Sequence, residues 1–130
     1  MLQTTTNERQ LHKDLIHVSE ANINNPFFKD CDYIMRASGE SMQNIIKRND
    51  LLGLWNVEQW KDFIPYGEVY AILTTDGHLM VKKIIQGKDD NHFTLLSEPE
   101  ETEKHRYRPQ QISKALISKI FVVKSSHSTL

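Results

Sequence analysis

The chain of 130 residues contains one cysteine, Cys31, and five glycines. A single cysteine excludes an internal disulfide, and it provides no second thiolate for a metal site. No apolar run approaches the roughly 18 residues that would span a membrane, and no secretory signal-peptide pattern is present. From these absences we expect a cytoplasmic protein.

The charge balance is also close to neutral. The 16 basic and 17 acidic residues give a formal net charge of −1, so this segment carries no excess of positive charge for a nucleic-acid backbone. The six histidines show no paired-ligand spacing such as His-x-x-x-His, and the glycines form no phosphate-binding loop. We therefore expect no metal, no cofactor and no DNA contact made by this segment alone.

A change in composition divides the chain into an N-terminal arm and linker, residues 1–28, and a main domain, residues 29–130. Within the arm, Leu11, Leu15 and Val18 recur at a helical spacing. This spacing predicts either a short helix over residues 8–18 or an arm that packs on the domain.

Short runs rich in apolar and β-branched residues, separated by turn residues, predict a mainly β domain. The predicted strands cover residues 33–38, 51–56, 67–74, 78–86, 91–97 and 114–124. Many short strands with few helices favour a folded, partly barrel-like sheet with short helical turns. The apolar run 115–123 is long for an edge strand and would favour dimer formation if it were exposed; the alternative is a strand buried inside the sheet.

The sharpest chemical hypothesis is a pairing of Ser41, within Gly39-Glu40-Ser41-Met42, with Lys82, which follows 41 residues later. A serine hydroxyl becomes a nucleophile when a base removes its proton, and a lysine is a base when apolar surroundings keep it neutral. The backbone N–H groups of Ser41 and Glu40 could then hold a developing oxyanion. The alternative is a capping serine in an ordinary turn and a solvated pair of lysines at a strand edge.

Two separated motifs carry a family resemblance. The first comprises residues 30–42 and 46–54, and the second comprises residues 65–73 and 77–84. Their order and spacing resemble the LexA/UmuD and phage-repressor family of latent Ser-Lys peptidases. The resemblance implies a LexA-like fold, with Ser41 as the nucleophile and Lys82 as the general base, within hydrogen-bond reach of each other.

The resemblance also implies a biological setting. It suggests the C-terminal regulatory domain of a LexA-like or phage-repressor-type transcription regulator, or a stand-alone UmuD-like protein of the SOS response. The implied partners are a second copy of the chain in a homodimer, a RecA-type filament, and DNA reached only through an attached N-terminal helix-turn-helix domain.

The sequence departs from the family pattern at two places. Asn49 stands where the family usually has glycine before Asp50, and asparagine tolerates the left-handed conformation that such a turn needs. The cleaved Ala-Gly or Cys-Gly pair is absent, and the nearest equivalent is Ala21-Asn22. We therefore expect weak or absent self-cleavage, and a non-enzymatic dimerisation domain with a relic dyad stays open as an alternative.

Overall fold

A computed structural model describes residues 11–18, 28, 30–39 and 41–127, with the backbone alone for 125–127. The strands in this part of the chain are β1 (Ile16–His17), β2 (Tyr33–Arg36), β3 (Leu51–Asn56), β4 (Val69–Thr74), β5 (Leu79–Gln86), β6 (His92–Leu96), β7 (Gln110–Ser113) and β8 (Ile117–His127). They form one antiparallel sheet in the order β1-β2-β3-β8-β4-β5-β6-β7, which is not closed into a barrel. The prediction of a mainly β fold is confirmed.

The centre of the sheet is buried on both faces. Successive side chains of a strand point to opposite faces, and in β4 the alternation places Ala71 in one apolar cluster and Tyr70 and Ile72 in another. In β8, Phe121 joins the first cluster and Ile120 the second. Because each of these residues is at most 1% exposed, two cores lie on opposite sides of one sheet.

The position of β8 corrects the expectation of an exposed C-terminal edge. This strand pairs with β3 on one side and with β4 on the other. The apolar run 115–123 therefore satisfies its backbone inside the sheet, as the alternative interpretation held, and it provides no argument for a dimer.

The N-terminal arm packs on the domain as a turn and a short strand. Residues 11–15 form the turn, and β1 then pairs Ile16 with Ile34 of β2. The helix predicted over residues 8–18 is wrong for residues 11–17. Leu15 is 4% exposed and belongs to the first core, and Leu11 packs against that core, so these two apolar side chains of the arm pack on the domain without a helix over residues 11–17.

The turn at Asn49, near the predicted site, forms as expected. Asn49 adopts a left-handed conformation with φ of 72°, and its N–H donates to the carbonyl of Ala37 over 2.9 Å. The N–H of Ala37 in turn donates to the carbonyl of Asp50 over 2.8 Å. These two bonds fix the end of the segment that leads from β2 towards Ser41.

Candidate functional site

The serine lies in a turn that follows β2. After Gly39, which has a φ of +80°, residues 41–45 form consecutive turns, and the N–H of Ile46 donates to the carbonyl of Met42 over 2.8 Å. Met42 and Ile46 are 5% and 7% exposed and pack in the first core. Two buried anchors therefore hold the turn, and Ser41 itself is half-buried at its start.

The lysine projects from the middle of β5. Lys82 is opposite Tyr70 of β4 and is half-buried. Burial lowers the pKa of Lys82, because removal from water disfavours the ammonium form. This is the direction that a lysine needs in order to accept a proton.

Ser41 and Lys82 line the same pocket, which has a volume of about 190 Å³. Most of the other lining residues are apolar: Met35, Ala37, Met42, Ile46, Leu79, Met80 and Val81. The structure thus brings together the two residues that the sequence paired across 41 positions.

Among the described residues, the hydroxyl that accepts a hydrogen bond from the Lys82 ammonium is that of Ser97. The distance from Lys82 Nζ to Ser97 Oγ is 2.7 Å. The ring of Tyr107 lies 5.8 Å from the same Nζ atom, within the range of a cation–π contact.

The segment after β6 connects the lysine strand with the serine turn. The N–H of Glu98 donates to the carbonyl of Ser41 over 2.7 Å, and the N–H of Asn44 donates to the carbonyl of Glu98 over 2.8 Å. The Glu98 carboxylate lies 2.6 Å from Lys83 Nζ. The two sides of the pocket are therefore tied to each other through one residue.

The remaining predicted site residues lie outside the part of the chain that the structure describes. These are Glu40, the second candidate oxyanion donor, and the candidate cleavage pair Ala21-Asn22. Sequence analysis did not identify Ser97 or Tyr107. The pairing of Lys83 with Leu96 puts Ser97 across from Lys82, but this register is visible only in the structure.

Within the described ranges, no group of three or more histidine, cysteine, aspartate or glutamate side chains could hold a metal ion. No helix of the described residues is both long and apolar enough to span a bilayer.

Comparison with known proteins agrees with the fold. A search of the curated proteins finds no match to the chain. The sequence model of the family described as Peptidase S24-like matches residues 4–121, which is most of the chain and includes both Ser41 and Lys82. The chain therefore belongs to the Peptidase S24-like family, which is of the LexA/UmuD type.

Proposed function

We propose that this chain is a latent Ser-Lys peptidase domain of a LexA-like or phage-repressor-type transcription regulator, acting on a peptide bond of its own chain. The observation that carries the proposal is the largely apolar pocket that Ser41 and Lys82 both line. The pKa of Lys82 is, in addition, lowered by burial. A nucleophile and a base with a depressed pKa at one pocket are what acyl transfer requires.

In the proposed reaction, neutral Lys82 takes the hydroxyl proton of Ser41 as Oγ attacks the scissile carbonyl carbon. The N–H of Ser41 donates to the oxyanion of the tetrahedral intermediate. When the C–N bond breaks, the Lys82 ammonium returns its proton to the leaving amine. A water molecule, deprotonated by Lys82, then attacks the acyl carbon. The bond between that carbon and Ser41 Oγ breaks, Oγ takes a proton back from the Lys82 ammonium, and the new carboxyl terminus is released.

An open strand edge beside the pocket supports a peptide as the substrate. In the described sheet, β6 pairs with β5 only over Lys83–Gln86. The first half of β5, from Leu79 to Lys82, lines the pocket and has β4 as its one paired neighbour. An extended segment of chain could add to this free side by backbone hydrogen bonds, which would align its carbonyl with Ser41.

The regulatory part of the proposal rests on the family alone. Homodimer formation would let two attached helix-turn-helix domains reach two operator half-sites, and a RecA-type filament would be the activating partner. A stand-alone UmuD-like protein of the SOS response is the variant of this proposal without an attached DNA-binding domain.

A non-enzymatic dimerisation domain is the second candidate. One observation favours it: Asn22 replaces the glycine of the usual cleavage pair. Asparagine lacks the freedom of glycine at positive φ, so a tight bend of the chain into the pocket becomes harder.

Incubation of the purified chain at about pH 10 tests the enzyme directly, because deprotonation of a lysine supplies the base without a partner protein. We expect little cleavage of the natural sequence and increased cleavage after Ala21 in the Asn22→Gly variant, measured by electrophoresis and intact mass. In that variant, Ser41→Ala or Lys82→Ala should abolish the cut. Lys119→Ala, which changes a half-buried lysine of β8, is the matched control and should cut like its parent.

Two outcomes would contradict parts of this proposal. Efficient cleavage of the natural sequence at Ala21 would show that Asn22 does not impair the site. An Asn22→Gly variant that is folded and stays uncut at every alkaline pH would overturn the peptidase and favour the dimerisation domain.

A further inference from the structure

The contact between Lys82 and Ser97 follows from the register of the sheet. The pairing of β5 with β6 ends at Lys83 and Leu96, and one step further along the same register places Ser97 across from Lys82. The side chains of directly opposed residues in antiparallel strands lie on the same face. This explains why the hydroxyl of Ser97 meets Lys82 Nζ at 2.7 Å.

Ser97 is held in place by its neighbour. Glu98 is bonded through its N–H and carbonyl to the turn of Ser41 and Asn44, and through its carboxylate to Lys83. The backbone on the C-terminal side of Ser97 is thus attached to both sides of the pocket. A hydroxyl on so constrained a segment is a fixed point for the flexible lysine side chain.

We propose that Ser97 is a positioning residue for the lysine of the dyad, fixing the place of the Lys82 amine so that its lone pair can be directed to Ser41. The proposal rests on the function proposed above for the role of Lys82. It assigns Ser97 no contact with the substrate and no proton transfer.

A hydroxyl suits this role because it is neutral. A neutral amine can donate one N–H to Ser97 Oγ and keep its lone pair available for the proton of Ser41. A carboxylate at the same distance would stabilise the ammonium and keep the lysine charged. Ser97 therefore orients the amine and stabilises the ammonium form less than a carboxylate would.

The other groups around Lys82 complete its electrostatic surroundings. Lys83, its neighbour on β5, is neutralised by Glu98 at 2.6 Å. Tyr107 presents its ring at 5.8 Å from Lys82 Nζ, and the Arg106 guanidinium stacks near that same ring, also at 5.8 Å. Changes confined to Ser97 leave these groups in place.

The first experiment observes the lysine itself and needs no cleavage. The chain is labelled with ¹³C and ¹⁵N in lysine, and the Lys82 side-chain signals, assigned with Lys82→Ala, are followed from pH 7 to 12. Loss of the acceptor should lower the titration midpoint in Ser97→Ala, a carboxylate should raise it in Ser97→Asp, and Ser97→Thr should stay close to the natural chain. Ser113→Ala removes a hydroxyl that accepts the N–H of Ala115, so it is the matched control and should leave the midpoint unchanged.

The second experiment measures alkaline self-cleavage in the Asn22→Gly background. At a pH where Lys82 is neutral, Ser97→Ala should slow cleavage about ten- to a hundredfold, the effect expected for a misplaced catalytic group. Ser97→Thr should restore the rate to within a few-fold, and Ser97→Asp should shift the pH profile to more alkaline values. Urea unfolding of each variant identifies any loss of rate that comes from unfolding.

The results separate the two proposals. If the Lys82 midpoint is the same in the natural chain, Ser97→Ala and Ser97→Asp, the positioning role is overturned, whether or not the chain cuts itself. If Ser97→Ala cuts as fast as its parent, the dyad stands and Ser97 has no part in it. If the Asn22→Gly parent does not cut, the peptidase fails, while the titration shifts still establish the Ser97 contact.

Discussion

Gly39 lies in the turn that leads to Ser41, and its left-handed conformation allows the effect of backbone strain on the site to be tested. Gly39 has a φ of +80°, and a Cβ added there would meet no atom within 4 Å. The substitution Gly39→Ala therefore adds conformational strain without a steric clash. A left-handed conformation costs a non-glycine residue about 1–2 kcal/mol. The reduced entropy of the unfolded chain returns about 0.4–1 kcal/mol, so we expect a net loss of about 1 kcal/mol in the free energy of unfolding.

The same strain should also affect cleavage, because the turn can relieve it by rotating Gly39 towards negative φ and moving Ser41 in the pocket. Gly67→Ala is the matched control: its φ is +90°, its added Cβ also meets nothing within 4 Å, and Gly67 does not line the pocket. Urea denaturation should show similar losses for both variants. In the Asn22→Gly background, Gly39→Ala alone should reduce the rate of alkaline cleavage, by about tenfold or more.

Either of two results would refute this reasoning. An unchanged unfolding midpoint in Gly39→Ala would show that the conformation is not strained for alanine. Equal slowing of cleavage in Gly39→Ala and Gly67→Ala would show that cleavage follows global stability and not the placement of Ser41.

Two further predictions concern other turns. Asn49 has a φ of 72°, so Asn49→Ala should be less stable than Asn49→Gly by about 1 kcal/mol in urea denaturation, and equal stabilities would contradict the strain argument. Hydrogen bonds from Thr74 and His78 lower the pKa of Asp76 to about 2. The contribution of the ionised Asp76 carboxylate to the free energy of unfolding should be fully present above the unfolded-state pKa of about 3.9. It should be lost as the pH falls through about 2. Carboxyl ¹³C titration measures the pKa of Asp76. If the Asp76 midpoint is unchanged in His78→Ala, the His78 ring does not contribute to lowering that pKa.

The central strands could be predicted because their chemistry is local. The run 69–74 has apolar residues on both faces, as a strand between two cores requires, and the turn at Gly77 marks its end. β7 was missed because Gln110 and Gln111 are exposed at the sheet edge, where polar residues carry no apolar pattern. The predicted edge at 115–123 was wrong because the order of strands in a sheet depends on distant pairings, which the composition of one strand does not encode.

In the candidate site, too, the features set by local sequence could be predicted, and the features set by strand pairing could not. Ser41 and Lys82 could be proposed because a short motif and an apolar strand surround them. Ser97 could not be proposed from the sequence, because a serine after an apolar strand is common. Its place across from Lys82 depends on the register in which β6 pairs with β5. A shift by one residue would turn its hydroxyl to the other face of the sheet.

The place of β8 in the sheet also sets the time at which this site can form. Ser41 follows a strand of the N-terminal half and Lys82 belongs to the C-terminal half, and β8 is inserted between β3 and β4, pairing Leu54 with Val123 and Ile72 with Ile120. On a ribosome, β8 is the last of these strands to be synthesised. A nascent chain that already contains both Ser41 and Lys82 therefore still lacks the strand that joins their two halves. On the function proposed above, we therefore expect no self-cleavage before residues 117–127 have been synthesised.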